Sequence, residues 1–296
     1  MMICDYEGSD YKVRFWQNAD RAYEDAVERV ALRRMLPMKG RRIIEFGAGF
    51  GRLAELYTGY DEIILLDYSR TLLEQAQERW GNDPRFRFVV GDIYHLPFVS
   101  GTISTATMIR VMHHIQDVPS ALKQISNAII PGGTFILEFA NKRNVKSLLR
   151  YALRRQKWNP NQHDPYEFVD LNFDFHPDWM LEQLRAAGLR TTRSLAVSYL
   201  RSGLLKRTVP VNIMVYVDAL LQLTAPLFLM SPSVFSLNKQ EMGTAASVDR
   251  QSASGDEIFR CPRTGQRLHR EGDYLINEDG LRWQVRGQFY DFKEPV

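Results

Sequence analysis

The sequence predicts an α/β fold, a largely parallel sheet with helices on both faces, followed by a small β-rich C-terminal module. Three observations carry this. Between Arg42 and Glu138, five apolar runs alternate with helix-forming segments, the pattern of parallel strands joined by crossing helices. The first run, Arg42 to Phe46, enters a loop with glycines at 47, 49 and 51 and then the helical pattern Arg52-Leu53-Ala54-Glu55-Leu56. Beyond residue 240 the composition shifts to Gly, Ser, Ala and charges without periodicity, a linker over 241–256, and then to an aromatic-bearing tail over 257–296. At 296 residues and 45% hydrophobic content, the chain can bury one large core with a small annex.

In chain order, Asp20 is placed to cap a helix running to about Leu36, with Tyr23, Val27, Val30 and Ala31 facing the core. Ahead of it, the aromatic and basic segment 11–16 reads either as a flap on the sheet or as a lid over a ligand. The glycine loop follows the first strand. Glycine is needed where the backbone turns through positive φ, or where a ligand approaches the main chain without meeting a Cβ. A second strand, Ile63 to Leu66, ends in Asp67, which could accept both hydroxyls of a ribose; a helix from Ser69, its cap, runs to Trp80. A third strand, Phe86 to Val90, ends in Gly91-Asp92-Ile93. The fourth, Thr102 to Ile109, leads into Arg110 to Asp117. A helix over Ser120 to Ala128, a Pro-Gly-Gly turn and a fifth strand over Thr134 to Glu138 complete the alternation.

Two details select the ligand class. The dinucleotide fingerprint wants a small residue five positions after the first glycine, and Arg52 stands there. Glu45, at the end of the first strand, would repel a pyrophosphate and attract a ligand carrying an ammonium and a sulfonium. The E-x-G-x-G-x-G pattern, with the ordered segments that follow it, resembles class I S-adenosylmethionine (SAM) methyltransferases of the small-molecule type. The resemblance implies a Rossmann-like seven-stranded methyltransferase sheet, with Ser194 to Leu200 and Val234 to Asn238 as an antiparallel pair at its edge. It implies SAM as cofactor, bound by Glu45, Gly47, Ala48, Gly49, Asp67, Tyr68, Gly91, Asp92, Ile93 and Arg110, with Asp92 accepting from the adenine amine. The Asp usual at the start of the fourth strand is Ser104 here. His113 and His114 lie where a base could reach the methyl group, a neutral imidazole being suited to that task. Each reads equally as a packed or backbone-bonded histidine, and His114 is favoured as the catalytic one.

The methyltransferase domain is expected to span 1–240, with substrate lid and insertions at about 141–176 and 203–230. Lys142, Arg143, Lys146, Arg150, Arg154, Arg155 and Lys157 follow one another with no acid between them. They read as a solvated helix face or as a site for phosphate, an acidic substrate or lipid headgroups. From Val209 to Met230 the only charge is Asp218, with prolines at 210 and 226; a greasy pocket, an oligomer interface or monolayer attachment beside Lys206 and Arg207 is expected. In the tail, Cys261-Pro262-Arg263-Thr264-Gly265 and Leu281 to Gly287 resemble the small zinc-ribbon partner of several tRNA and protein methyltransferases. Of its four cysteine ligands only Cys261 is present; Thr264, Ile276 and Asp279 align with the others. Structural zinc needs about four ligands, so no metal is expected, and the tail is expected to dock through Phe259, Tyr274, Trp283, Phe289 and Tyr290.

The net charge of +3 does not mark a general nucleic-acid binder. Two cysteines, Cys4 and Cys261, suit a reducing cytoplasm, and the N-terminus has no signal-peptide pattern. The expected function is methyl transfer from SAM to a small, lipophilic acceptor. The alternatives are a methyltransferase of RNA or protein, against which the segment Ile109 to Met112 lacks an N-P-P-Y-like pattern, and a non-catalytic SAM-binding regulatory module. A small-molecule substrate and a homo-oligomer are the expected partners; a nucleic acid or a membrane surface is less favoured.

Overall fold

The computed structural model describes residues 7–8, 21–241 and 254–296. The aromatic segment 11–16, the Asp20 cap, Cys4 and residues 242–253 of the expected linker lie outside them. In chain order the strands before the linker are β1 (Gly40–Phe46), β2 (Tyr60–Asp67), β3 (Phe86–Val90), β4 (Ile103–Met108), β5 (Ile129–Ala140), the short hairpin β6 (Tyr166–Val169) and β7 (Asn172–Asp174), β8 (Leu189–Val197) and β9 (Ser233–Gln240). The helices are α1 (Ala22–Met35), α2 (Arg70–Trp80), α3 (Val118–Ala128), α4 (Val145–Ala152), α5 (Pro177–Ala186), α6 (Gly203–Thr208) and α7 (Val211–Leu221).

The seven expected strands are arranged as β3-β2-β1-β4-β5-β9-β8, parallel except for β9, which runs antiparallel to both its neighbours. Alternation along the central strands divides the core into two layers, because successive side chains point to opposite faces. Ile44, Ile64 and Val89 pack with α3 and α5, whereas Ile43, Ile63 and Leu65 pack with α1, α2 and α7. Ser104 explains itself here: its Oγ donates to the Arg42 carbonyl at 2.7 Å and accepts from the Arg42 amide at 3.1 Å, clamping β4 to β1.

Several boundaries differ from the sequence reading. The segment after the glycine loop forms only a 3₁₀ turn over Ala54–Leu56, because Arg52 is drawn into ion pairs with α1. α3 starts two residues early, where Asp117 accepts from the Ser120 amide at 3.0 Å and Pro119 occupies the first turn. β8 starts at Leu189 rather than Ser194, since its partner β9 extends to Gln240. On α1, Val30 is only half-buried while Glu24 and Glu28 take buried positions. The apolar insertion divides at Pro210 into α6 and α7. Asp218, fully buried, is the anchor of α7: it accepts from Tyr23 Oη at 2.6 Å, from the Tyr199 amide at 2.8 Å and from the Ser198 amide at 3.2 Å. Ile213, Tyr216 and Leu220 form the outward, exposed stripe of that helix. No helix among the described residues is long and apolar enough to cross a membrane.

The largest departure is the strand count. Among the described residues the sheet has eleven strands, because the C-terminal segment contributes β10 (His269–Glu271), β11 (Tyr274–Ile276), β12 (Arg282–Arg286) and β13 (Phe289–Asp291). β13 pairs in parallel with β3, Tyr290 opposite Val89, so the edge of the main sheet is covered by the chain's own tail. A second clasp adds Val99 N–H to Ile258 O at 2.8 Å and Arg260 N–H to Pro97 O at 2.9 Å. Phe259 sits between Phe98, Tyr290 and Phe292, with centroids 5.7, 4.6 and 5.1 Å away, and Trp283 is fully buried behind Phe292. Within the tail, buried Asn277 ties two turns together. It donates to Gln266 Oε1 at 2.6 Å and to Thr264 Oγ1 at 3.3 Å, and it accepts from the Leu281 amide at 2.7 Å. Cys261 is buried and carries no disulfide.

Two outcomes are expected from this docking. Trp283→Ala should lower stability by about 3 to 5 kcal/mol, the usual cost of emptying a large aromatic site. A chain ending at residue 253 should unfold at lower temperature and aggregate through the bared edge of β3. Unchanged thermal unfolding and a monomeric truncated chain by light scattering would contradict both.

Candidate active site

The loops at the carboxyl ends of β1 to β5 meet at one edge of the sheet, where an open parallel sheet binds ligands. Gly47 and Gly49 have φ of +68° and +54°, in the region glycine adopts without strain. A Cβ on Gly47 would also lie 2.2 Å from Val111 Cγ2, so the glycine lets the loop after β4 close over the loop after β1. The amide of Ala48 donates to Leu66 O at 3.0 Å, and that of Gly49 to Asp67 Oδ2 at 2.7 Å. Asp67 Oδ1 accepts from Ser69 N at 2.9 Å, so two amides orient this carboxylate at the end of β2.

Gly91 donates its amide to Asp67 O at 3.0 Å, bringing the β3 loop against the β2 end. Asp92 is engaged by the Tyr94 amide at 2.8 Å and by His95 Nδ1 at 2.7 Å, while Ile93 packs on the core. Tyr68 lies under Lys293 Nζ, 3.9 Å from its ring centroid, so the tail reaches this corner.

Glu45 is 4% exposed; Tyr57 donates to its carboxyl, and its Oε2 has no hydrogen-bond partner among the described residues. Burial pushes its pKa up to about 7, outweighing the Tyr57 hydrogen bond and the charge of Arg52. A buried carboxyl oxygen without a donor is costly and fits a site that a ligand's cationic group completes.

Arg110, at φ +61°, donates its amide to Glu138 Oε2 at 2.9 Å and pairs its guanidinium with Glu28. Glu28 is fully buried and also pairs with Arg52 at 2.9 Å. Burial alone would raise its pKa, but Arg110 and Arg52 outweigh burial and hold it below the usual value. Arg52 reaches Asp25 as well, and Arg29 donates to the Arg52 carbonyl at 2.9 Å. Thus α1 holds both the glycine loop and the loop after β4.

His113 and His114 follow on a short turn, ring centroids 4.0 Å apart. Nδ1 of His114 is 3.0 Å from Leu171 O in the β6–β7 turn. A carbonyl can only accept, so Nδ1 carries the proton and Nε2 the lone pair. Burial, reinforced by His114 and Arg110, holds His113 well below the ordinary imidazole value; burial lowers His114 too, against the Leu171 hydrogen bond. Both are neutral at pH 7.

The sequence reading missed Glu28, Arg52 and Glu138 as parts of the site. The available signal was the presence of Glu24 and Glu28 on the same helical face as Tyr23, Val27 and Ala31, where an unpaired carboxylate would be prohibitive.

Glu45 generates a stability prediction for the unliganded protein. Its folded pKa of about 7 stands above the ordinary 4.5, so the folded state holds a proton that the unfolded chain releases. Its contribution to stability is therefore fully present below pH 4.5, is lost as pH rises to 7 and stays lost above. Glu45→Gln should remove that dependence and stabilise the unliganded chain at pH 8 relative to wild type by up to about 3 kcal/mol, at 1.36 kcal/mol per unit. Denaturant titrations at pH 5 and 8 check this; an equal difference between the two proteins at both values would contradict it.

Residues 44–137 match the family described as methyltransferase domain. An uncharacterised chloroplastic methyltransferase of Arabidopsis thaliana is 32% identical over 109 residues, 34% of this chain and 31% of that protein. The ubiquinone/menaquinone biosynthesis C-methyltransferase UbiE of Cereibacter sphaeroides is 24% identical over 57% of this chain and 76% of its own. The chain spans less than a third of the first curated relatives it matches, 30% and 31% of their lengths. Among solved structures, a chain from the complex between the Haloferax volcanii Trm112 methyltransferase activator and a methyltransferase superimposes with a TM-score of 0.54 at 18% identity, covering 78% of this chain and 95% of that one. The edge that gathers Glu45, the glycine loop and Asp67 thus belongs to a chain with the class I SAM-dependent methyltransferase fold.

Proposed function

We propose that the protein is a SAM-dependent methyltransferase acting on a small, lipophilic acceptor. The observation that carries this is the pairing of Glu45, with its undonated Oε2, and Asp67, with its oriented carboxylate, on either side of the glycine loop. These residues fit the cofactor: Glu45 would hold the amino group of its methionine half and Asp67 its ribose hydroxyls, while Gly91 and Asp92 would border the base. Bound there, SAM would supply a methyl carbon on a sulfonium, open to in-line displacement. The chain's own part is positioning and exclusion of water, contributions that need no covalent intermediate. The β6–β7 hairpin roofs His114, and its lone-pair Nε2 is the group we assign to take a proton from the acceptor. Arg110 and Glu28 hold the loop that carries it.

We further infer that residues 257–296 form a module related to zinc-ribbon activators, fused in the same chain. Two turns, at 261–265 and 277–281, are what supports this reading, with Asn277 linking them by hydrogen bonds. A reducing, cytoplasmic setting is consistent with the buried free Cys261.

Calorimetric titration tests the reading. SAM should bind the full chain, and Asp67→Ala should weaken it by about 1.5 to 3 kcal/mol, the worth of charge-assisted hydrogen bonds. Because Glu45 titrates near 7 and only its ionised form attracts an ammonium, affinity should rise from pH 6 to 8 with net proton release. No binding, or tighter binding of a nicotinamide dinucleotide, would overturn the proposal. Given binding, His114→Asn should lower methyl transfer to an accepted substrate by 10²-fold or more without changing SAM affinity.

A further inference from the structure

A cavity of about 860 Å³ lies beside the proposed methyl-transfer site, bounded by α4, Trp158, the β6–β7 hairpin and residues 199–203. Its charge is one-sided. Among the described residues, Lys146, Arg150, Arg155 and Arg201 line it against a single acid, Asp174, which burial pushes up to about 6. Arg201 is the inner cation. Its charge acts on His113 and Arg110 and is balanced at a distance by Glu28 and Glu138, so this end of the cavity adjoins the active-site edge. Its Nε is buried and has no hydrogen-bond partner among the described residues. Burial and the like charge of Arg110 both press on that guanidinium, an arrangement that an incoming anion relieves.

The rest of the wall is apolar and open. Leu149, Leu153 and Phe168 line the cavity although they are 57%, 62% and 51% exposed, which leaves α4 presenting apolar side chains to solvent next to its cations. A helix whose apolar face is not buried in the core has surface left for a ligand. Cations at the inner end and aliphatic and aromatic surface beside them define one ligand chemistry.

We propose that this cavity receives the methyl acceptor, and that the acceptor is an amphiphilic anion with a carboxylate or phosphate held at Arg201 and an aliphatic chain lying along Leu149, Leu153 and Phe168. This rests on the methyltransferase reading for its chemistry, while the binding itself is separately measurable. The same head group and chain occur on a soluble amphiphile and on an anionic lipid, and the test distinguishes them.

The full chain, saturated with S-adenosylhomocysteine, is titrated calorimetrically below micellar concentrations with decyl phosphate, decyltrimethylammonium and inorganic phosphate. Decyl phosphate should bind at least tenfold more tightly than either of the others. Arg201→Gln and Leu149→Asp should each weaken it at least tenfold while thermal unfolding and S-adenosylhomocysteine affinity stay as in wild type. Equal affinity for the cationic amphiphile, equal affinity for inorganic phosphate, or an unaffected Arg201→Gln would overturn the proposal. In a second arm, vesicles of phosphatidylglycerol in phosphatidylcholine are offered. Binding that decyl phosphate displaces assigns the lipid as a source, absence of vesicle binding beside tight decyl phosphate binding assigns a soluble amphiphile, and vesicle binding that persists in Arg201→Gln counts against the cavity. The S-adenosylhomocysteine titration separately tests the methyltransferase reading: its failure beside intact decyl phosphate binding would remove methyl transfer and leave the anion site.

Discussion

The buried carboxylate of Glu28 is the constraint around which the site is built. One acid on α1 faces Arg52 from the glycine loop and Arg110 from the loop after β4, so two loops far apart in sequence are set by a single charge. A fully buried carboxylate is tolerable only while both partners stay in place, because losing one leaves uncompensated charge in a low-dielectric setting. Arg110 then hands its own amide to Glu138, which is bonded in turn by Ser233, and this chain of contacts spans β1, β4, β5 and β9. The neighbouring Glu45 differs: no ion pair reaches it among the described residues, and burial pushes its pKa up to about 7. Two buried glutamates thus differ in kind: Glu28 is matched by two guanidinium groups, whereas Glu45 Oε2 has no hydrogen-bond partner among the described residues.

Much of this was legible in the sequence. The glycine spacing, the acid at the end of each of the first two strands and the alternation up to Glu138 reflect local rules of backbone geometry and strand period, which act over a few residues. The first five strands of the main sheet follow from them, as does the Ser69 cap, whose Oγ accepts from Leu72 N at 3.4 Å; the antiparallel pair at its edge was implied by the family resemblance. The Arg52 to Leu56 segment was misread because helical propensity there is overridden by ion pairs to a helix twenty-odd residues earlier, and no local pattern encodes such pairs. Asp218 looked like a polar interruption of an apolar stretch; its four donors, from α1, from the turn after β8 and from Gln222, appear only once the chain is folded.

The tail shows the same limit. Its aromatic residues marked it as surface that must be buried, but not where. In the fold its β13 pairs with β3, one of the two edge strands of the main sheet, β8 being the other, and main-chain pairing of that kind is nearly independent of side-chain identity. Lys293 over Tyr68 and Arg70 paired with Asp291 then connect the module to the corner beside Asp67, so edge protection and site architecture are joined.

The central claim is that the edge between Glu45 and Asp67 is a cofactor site, and the most direct measurement is a crystal structure of the full chain with S-adenosylhomocysteine. The account requires the ribose hydroxyls at the Asp67 carboxylate, the amino group against Glu45 Oε2 and the sulfur facing the turn that carries His114. Ligand density elsewhere on the chain, or an ordered glycine loop with no ligand at saturating concentration, would contradict it.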